Sequence, residues 1–203
     1  MLQPLILEEH RLFKKEDLKK HSNNIVTEGS PCRIGDHIYI PSGSGWVWGY
    51  NLKSRKLDWQ FYVGSDIDGS AIATPDSCLL ISVEKQYIKG EGGMLKLNPR
   101  KTGREAVCWF FPTESVAFAG WQGGVIGSAA VSSGMYPNLN MVAFSAIDGH
   151  LYVVDLLETE TEPVPGPDSL TLYPKPRLHY MARTGESIAS PLFVDDKLLV
   201  AGY

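Results

Sequence analysis

The chain holds little of what several function classes require. Among 203 residues there are only three cysteines, Cys32, Cys78 and Cys108. They lie far apart, with no Cys-x-x-Cys pair and no histidine at metal-ligand spacing, which excludes a structural zinc site and a disulfide-dense scaffold. Three small, mostly buried hydrophobes is the reading that remains. Positive charge is also in short supply. Nineteen Lys and Arg against 23 Asp and Glu give a net charge of −4, so no basic field exists for a phosphate backbone and nucleic acid is not an expected partner. No apolar run approaches the ~18 residues of a membrane span. Leu5-Ile6-Leu7 is too short for the core of an export signal and runs directly into Glu8-Glu9. The five histidines show no pairing at metal spacing, and no serine sits in a Gly-x-Ser-x-Gly elbow, so hydrolase chemistry has no foothold.

What is present is the balance of a globular chain, 43% hydrophobic and 21% charged. Residues 1–24 read as an N-terminal segment. Within it Glu8 to Lys20 predicts a short surface helix with Leu12, Phe13 and Leu18 on a narrow apolar edge, and with Lys14-Lys15 and Lys19-Lys20 on a solvated face. From Ile25 onward the pattern becomes short β-branched or aromatic runs broken by Gly, Pro, Asn and Asp, which is strand-and-turn punctuation. The fold class is all-β.

The strands repeat. Ser30-Pro31 opens a strand, a Gly35-Asp36 turn and a second strand, and the same phrase returns from Ser190-Pro191 with its turn at Asp195-Asp196. Looser copies open at Ser70 and Ser128. The first spacing, 40 residues, matches the ~40–45 of a propeller blade, and the two longer ones imply insertions. A second phrase keeps register with the first. Gly45 to Leu52 followed by Trp59 matches Gly93 to Asn98 followed by Trp109, and the third unit carries Asp148 to Asp155. Each unit therefore predicts a four-stranded antiparallel sheet, with a large aromatic on its last strand packed between neighbours. The expected units are 25–65, 66–115, 116–184 and an incomplete 185–203. In the third, His179 and Tyr180 stand where the Trp is expected, after a Pro-rich stretch from Pro163 to Pro176 that reads as a long surface loop between blades.

On the small-Pro strand start, the Asp-Gly-x-Leu-Tyr-x-x-Asp run at Asp148 to Asp155 and the run from Thr102 to Trp109, the chain resembles the PQQ-like, or quinoprotein-like, β-propeller family over about Thr27 to Tyr203. The resemblance implies about three and a half blades of a larger ring, closed by a longer chain or by a second copy or another chain. It also favours the periplasm or cell surface. A quinone dehydrogenase of this family would need an axial Asp base, a calcium ion held by Glu, Asn and Asp, and adjacent cysteines stacked on the cofactor. No Cys-Cys pair exists here and no acidic residue matches such a motif position by position, so none of those catalytic residues carries over. PQQ and calcium belong only to the alternative that this is a dehydrogenase fragment, and otherwise no cofactor is expected.

The leading expectation is a non-catalytic scaffold binding a protein or a small polar ligand at its blade-top loops. A carbohydrate-binding propeller is kept in view by the loop tryptophans. The candidate contacts are Glu84, Lys85, Gln86, Tyr87 and Lys89, in a loop whose Gly90, Gly92 and Gly93 would let backbone N–H groups approach an anion. Trp46, Trp48, Trp121 and Gln122 beside glycines offer an aromatic platform, with packing between blades as the competing reading. Asp66-Ile67-Asp68-Gly69-Ser70 resembles a calcium loop but lacks a third acidic ligand and reads as an inter-blade turn.

Overall fold

Alternating apolar residues and tight glycine turns build three four-stranded antiparallel sheets and two two-stranded ones, in a computed structural model that describes residues 8–132 and 139–203. The Leu5-Ile6-Leu7 run lies outside the described residues. The first sheet is β1 (Cys32–Ile34), β2 (His37–Pro41), β3 (Trp46–Asn51) and β4 (Lys56–Tyr62), paired in that order. The second is β5 (Ile72–Ala73), β6 (Leu79–Val83), β7 (Gly93–Leu97) and β8 (Val107–Pro112), again in chain order. The third joins β9 (Ala130–Val131), β10 (Met141–Ser145) and β11 (His150–Thr159). After a ribbon of β12 (Val164–Pro165) and β13 (Leu172–Tyr173) it adds β14 (Pro176–Arg183) beyond β11. The fourth pairs β15 (Leu192–Val194) with β16 (Lys197–Leu199). Gly35 and Asp195 stand at the same corner of the first and last hairpins with φ of 59° and 50°, the left-handed backbone that so tight a reversal requires.

Side chains alternate faces along a strand, so a sheet stacked between two others must be apolar on both. The second sheet is. Leu79, Ile81 and Val83 enter one core with Val47, Trp59, Leu95 and Phe110. Leu80 and Met94 enter the next with Trp109, Val142, Phe144 and Val154. The outer-strand tryptophans dock as the repeat predicts: Trp59 Nε1 donates to the Lys101 carbonyl at 2.8 Å, and Trp109 Nε1 to the Leu156 carbonyl at 2.9 Å. Buried Lys96 adds a further tie between the second and third sheets, donating to the Leu156 carbonyl at 2.9 Å while pairing with Asp76 at 2.6 Å. This face-to-face succession of antiparallel sheets is the architecture of a partial β-propeller.

The four repeat starts meet in one chain of hydrogen bonds. The amide of Ser30 donates to Ser70 Oγ at 3.0 Å, that of Ser70 to Ser128 Oγ at 2.8 Å, and that of Ser128 to Ser190 Oγ at 2.8 Å. The residue before each of the first three serines is glycine for a steric reason. A Cβ on Gly29 would come within 2.5 Å of the Gly69 carbonyl oxygen, and one on Gly69 within 2.7 Å of that of Gly127.

Two expectations change. Helix α1 spans only Lys15–Lys20, and the N-terminal segment docks by polar contacts rather than by an apolar edge. Lys14, expected in solvent, places its ammonium 3.6 Å from the Trp46 ring centroid, where the ring's negative face attracts it. The Pro-rich stretch is not simply a surface loop between blades. It lies inside the third sheet's sequence and reaches back across the second: Val164 and Tyr173 pack on the first core, and the Pro174 carbonyl accepts the Phe110 N–H at 2.9 Å. That bond occupies part of what would otherwise be an open edge of β8. No helix among the described residues is long and apolar enough to cross a membrane.

Candidate functional site

The serine register fixes what stands just upstream of each start. In the first two units those residues are acids, Glu28 before Gly29-Ser30 and Asp66 and Asp68 before Gly69-Ser70. A third carboxylate arrives from the end of β6, where Glu84 leaves the ladder and bridges to Gly124 at the start of the third unit. One carboxylate oxygen from each of Asp66, Asp68 and Glu84 can be chosen so that all three lie within 4.8 Å of one another. Along the chain, Asp66 to Ser70 has no third acid because Glu84 lies sixteen residues beyond Asp68; the fold supplies it.

The group is held from several sides. The Ile67 N–H donates to Asp66 Oδ1 at 2.9 Å, and the Ser65 hydroxyl bonds the carbonyls of Glu84 and, at 2.6 Å, Gln86. Gly43 makes room, since a Cβ there would stand 2.7 Å from Asp66 Oδ1. Asp66 and Glu84 are only 7% and 4% exposed, while Glu28 at the rim is open to solvent. Burial disfavours the ionised form of all three carboxyls, and mutual repulsion adds to it. The Asp66 carboxyl is pushed up to about 7 by burial and by the charge of Asp68, and Asp68 to about 6 by burial and Glu28. Glu84 rises to about 8, through burial and then Asp68 and Asp66. No lysine, arginine or histidine among the described residues offsets the three charges. At neutral pH such a group holds protons or a cation.

The other sequence candidates divide. Glu84 belongs to the acidic group. Tyr87, in a left-handed backbone with φ of 60°, lays its ring 4.6 Å from that of buried His21, and its phenol is pushed up by burial and by Asp66 and Glu84. Lys85 turns back into its own loop, donating to the Gly90 carbonyl at 2.9 Å and approaching Glu91 at 3.5 Å. Gln86 donates its backbone N–H to Ser65 Oγ, and Lys89 is exposed. The loop glycines serve backbone packing: the Gly90 N–H is taken by the Pro167 carbonyl, and a Cβ on Gly92 would stand 2.6 Å from Gly124 Cα. Trp46 and Trp48 receive the N-terminal segment, with indole N–H groups donating to Asp17 at 3.0 Å and to the Leu12 carbonyl at 2.9 Å. Trp121 closes a small hairpin with Phe118, and Gln122 beside it is exposed.

The residues do not fit a quinone cofactor of the kind the resemblance implies. Cys78 and Cys108 bring their sulfurs to 4.0 Å, but they are not neighbours in sequence. They also lie at the opposite end of β6 from Glu84, roughly 20 Å away at about 3.3 Å per residue. The hydrogen bond with the Cys108 thiol, and then burial, push the Cys78 thiol up.

No protein-family model matches the chain, and no curated protein sequence does. Solved structures show the fold. The chain is similar to the computationally designed Ika8 protein, with 13% identity and a TM-score of 0.52 over 86% of this chain and 41% of that one. It is similar to the β-propeller domain of Myceliophteria thermophila Cps50 (Swd1), with 12% identity and a TM-score of 0.53 over 89% of this chain and 50% of that one. The third is KlAtg21 in complex with the coiled coil of AgAtg16, with 16% identity and a TM-score of 0.50 over 82% and 46%. The chain thus spans half the length of these three chains or less.

Proposed function

We propose that this chain is a non-catalytic propeller scaffold, of the quinoprotein-like type its repeat phrases resemble, which holds a positively charged ligand at its acidic mouth. One observation carries the reading. Carboxylates from two successive blade starts, Glu28 with Asp66 and Asp68, converge with Glu84 at a point where the backbone is fixed by the serine chain and by glycine contacts too close for any side chain. A rigid frame loses little freedom when it binds, and excess negative charge selects the ligand's sign. The KlAtg21 propeller was solved with a coiled-coil partner, which is consistent with a protein as the ligand's carrier.

Immobilised chain exposed to Lys- and Arg-rich peptides and to neutral ones of equal length tests this. Cationic peptides should be retained, less so at high salt, and a Glu28→Gln/Glu84→Gln variant should lose them. Equal retention by the variant, or retention of a soluble glycan panel instead, contradicts the reading. Ring closure by neighbouring blades is part of the same proposal, because Met181, Leu192 and Leu199 on the last two sheets are more than half exposed. For closure by a second copy, light scattering should give twice the monomer mass.

A further inference from the structure

We propose that Asp66, Asp68 and Glu84, together with the hydroxyl of Ser82, form a binding site for a single oxygen-seeking divalent cation of the calcium class. The inference rests on the reading of the mouth as a cation-holding end and narrows the ligand from any positive group to a bare ion.

Geometry gives the first argument. Calcium–oxygen bonds are about 2.4 Å, so two ligands on opposite sides of one ion stand about 4.8 Å apart. The three carboxylates offer one oxygen each within that limit, the spacing of a group able to share a single ion.

Ser82 gives an independent one. It is 2% exposed, and its hydroxyl has no hydrogen-bond partner among the described residues. It stands two residues before Glu84, near the end of β6. Its hydroxyl lies beside the residue after Asp68, in space that only a glycine leaves open, since a Cβ on Gly69 would come 2.3 Å from Ser82 Oγ. A buried hydroxyl is normally satisfied, and a cation between Asp68 and Glu84 would satisfy this one through an oxygen lone pair.

Burial separates an ion from a side chain as the occupant. With Asp66 and Glu84 so nearly enclosed, an ammonium on a four-carbon stem must reach inward past exposed Glu28, whereas a partly hydrated ion enters alone. The donor set chooses the class. All ligands are oxygens, with no imidazole or thiolate, which excludes the soft-metal sites. Three carboxylates exceed the one or two that magnesium commonly takes, and they suit calcium's larger, more flexible shell.

The test is calorimetric titration of CaCl2, and separately MgCl2, into metal-stripped chain, with circular dichroism confirming that each variant is folded. One calcium per chain is expected, with magnesium weaker. Glu84→Gln should weaken calcium by more than about tenfold and Ser82→Ala by a smaller factor. Should Glu84→Gln not fold, Asp68→Asn serves in its place. Absence of saturable calcium binding by folded wild type overturns the inference, as does equal binding by wild type and both carboxylate variants. If calcium fails while cationic peptides are still retained through Glu84, only the ion is wrong. If both fail, the acidic-mouth reading falls with it.

Discussion

At the scale of single residues, burial decides which charges matter. Lys96 lies in the middle of β7 with its side chain 3% exposed, while its partner Asp76 is one-third exposed. Burial alone would push the Asp76 carboxyl up, but the Lys96 ammonium and the Thr74 hydroxyl together hold it below its ordinary value. Losing the two partners should therefore have unequal costs. Asp76→Ala leaves an unpaired ammonium inside the protein and is expected to cost about 3 kcal/mol. Lys96→Met leaves a carboxylate that water can reach and should cost less, as read by urea unfolding; the reverse order would contradict this account. Nothing in the sequence marks Lys96, because the alternation of β7 predicts only that a residue there faces a neighbour. Trp59 and Trp109 were legible because they recur in register. Glu84 was legible as a functional candidate for its loop, but its partners were not. The carboxylates meet because β5 runs antiparallel to β6 with Ile72 opposite Leu80, which carries the residues before β5 toward the end of β6, and pattern along the chain does not report that distance.

At the scale of elements, the segment from Glu8 to Asn24 covers the face of the first sheet that bears Trp46, Trp48 and Tyr50. Its anchors are the indole bonds to Leu12 and Asp17, the Ser42 and Ser44 hydroxyls on the Leu12 carbonyl, and Tyr50 on Glu8 at 2.7 Å. Trp48→Phe keeps an aromatic side chain but removes the pyrrole ring with its N–H donor to Leu12, and the lost hydrogen bond should cost about 1 kcal/mol. Tryptic cleavage at Lys14, Lys15, Lys19 and Lys20 should speed by roughly fivefold, and an unchanged rate would show that the segment is held elsewhere. The same segment carries a pH response. His21 is fully buried with both ring nitrogens unpartnered, and burial lowers its pKa against the opposing pull of Asp17, with Lys20 adding to the fall. A base depressed in the folded state contributes stability above its unfolded value, near 6.5, and that stability is lost as pH falls through the folded value. Cleavage of the segment should therefore quicken below about pH 6 in wild type and not in His21→Phe. Here the sequence showed a helix and a charged run but not the docking, since the anchors are backbone carbonyls and indole nitrogens rather than an apolar stripe. The Pro-rich ribbon escaped for a related reason: Val164, Leu170, Leu172 and Tyr173 are scattered through a polar, proline-broken stretch without a regular period, and only the fold shows that Val164 and Tyr173 reach the first core while the two leucines stay exposed.

At the scale of the whole molecule, the serine chain turns four sheets into one frame, and the repeat that marks it is readable in the sequence alone. Starts at Ser30, Ser70, Ser128 and Ser190 are the residues whose amides and hydroxyls meet. Ser70→Ala and Ser128→Ala should each cost about 1 kcal/mol, since each leaves a neighbouring amide without its acceptor. Ser30→Ala should cost less, because no amide among the described residues donates to its hydroxyl; equal costs at all three positions would argue against a directional chain.

The claim on which the rest depends is that three carboxylates from two strand ends share one enclosed site, and its most direct measurement is the melting temperature between pH 5 and pH 8 without divalent cations. Carboxyls raised in the folded state bind protons that the unfolded chain has already released, so their contribution is present at low pH and is lost as pH rises through about 6, 7 and 8 at Asp68, Asp66 and Glu84. Other groups, His21 among them, act in the opposite sense, so the quantity to follow is wild type minus an Asp66→Asn/Glu84→Gln variant. That difference should move against wild type as pH rises across the window, and added calcium should recover it. Parallel profiles for the two proteins would mean that the acids do not share a buried site and would contradict the account.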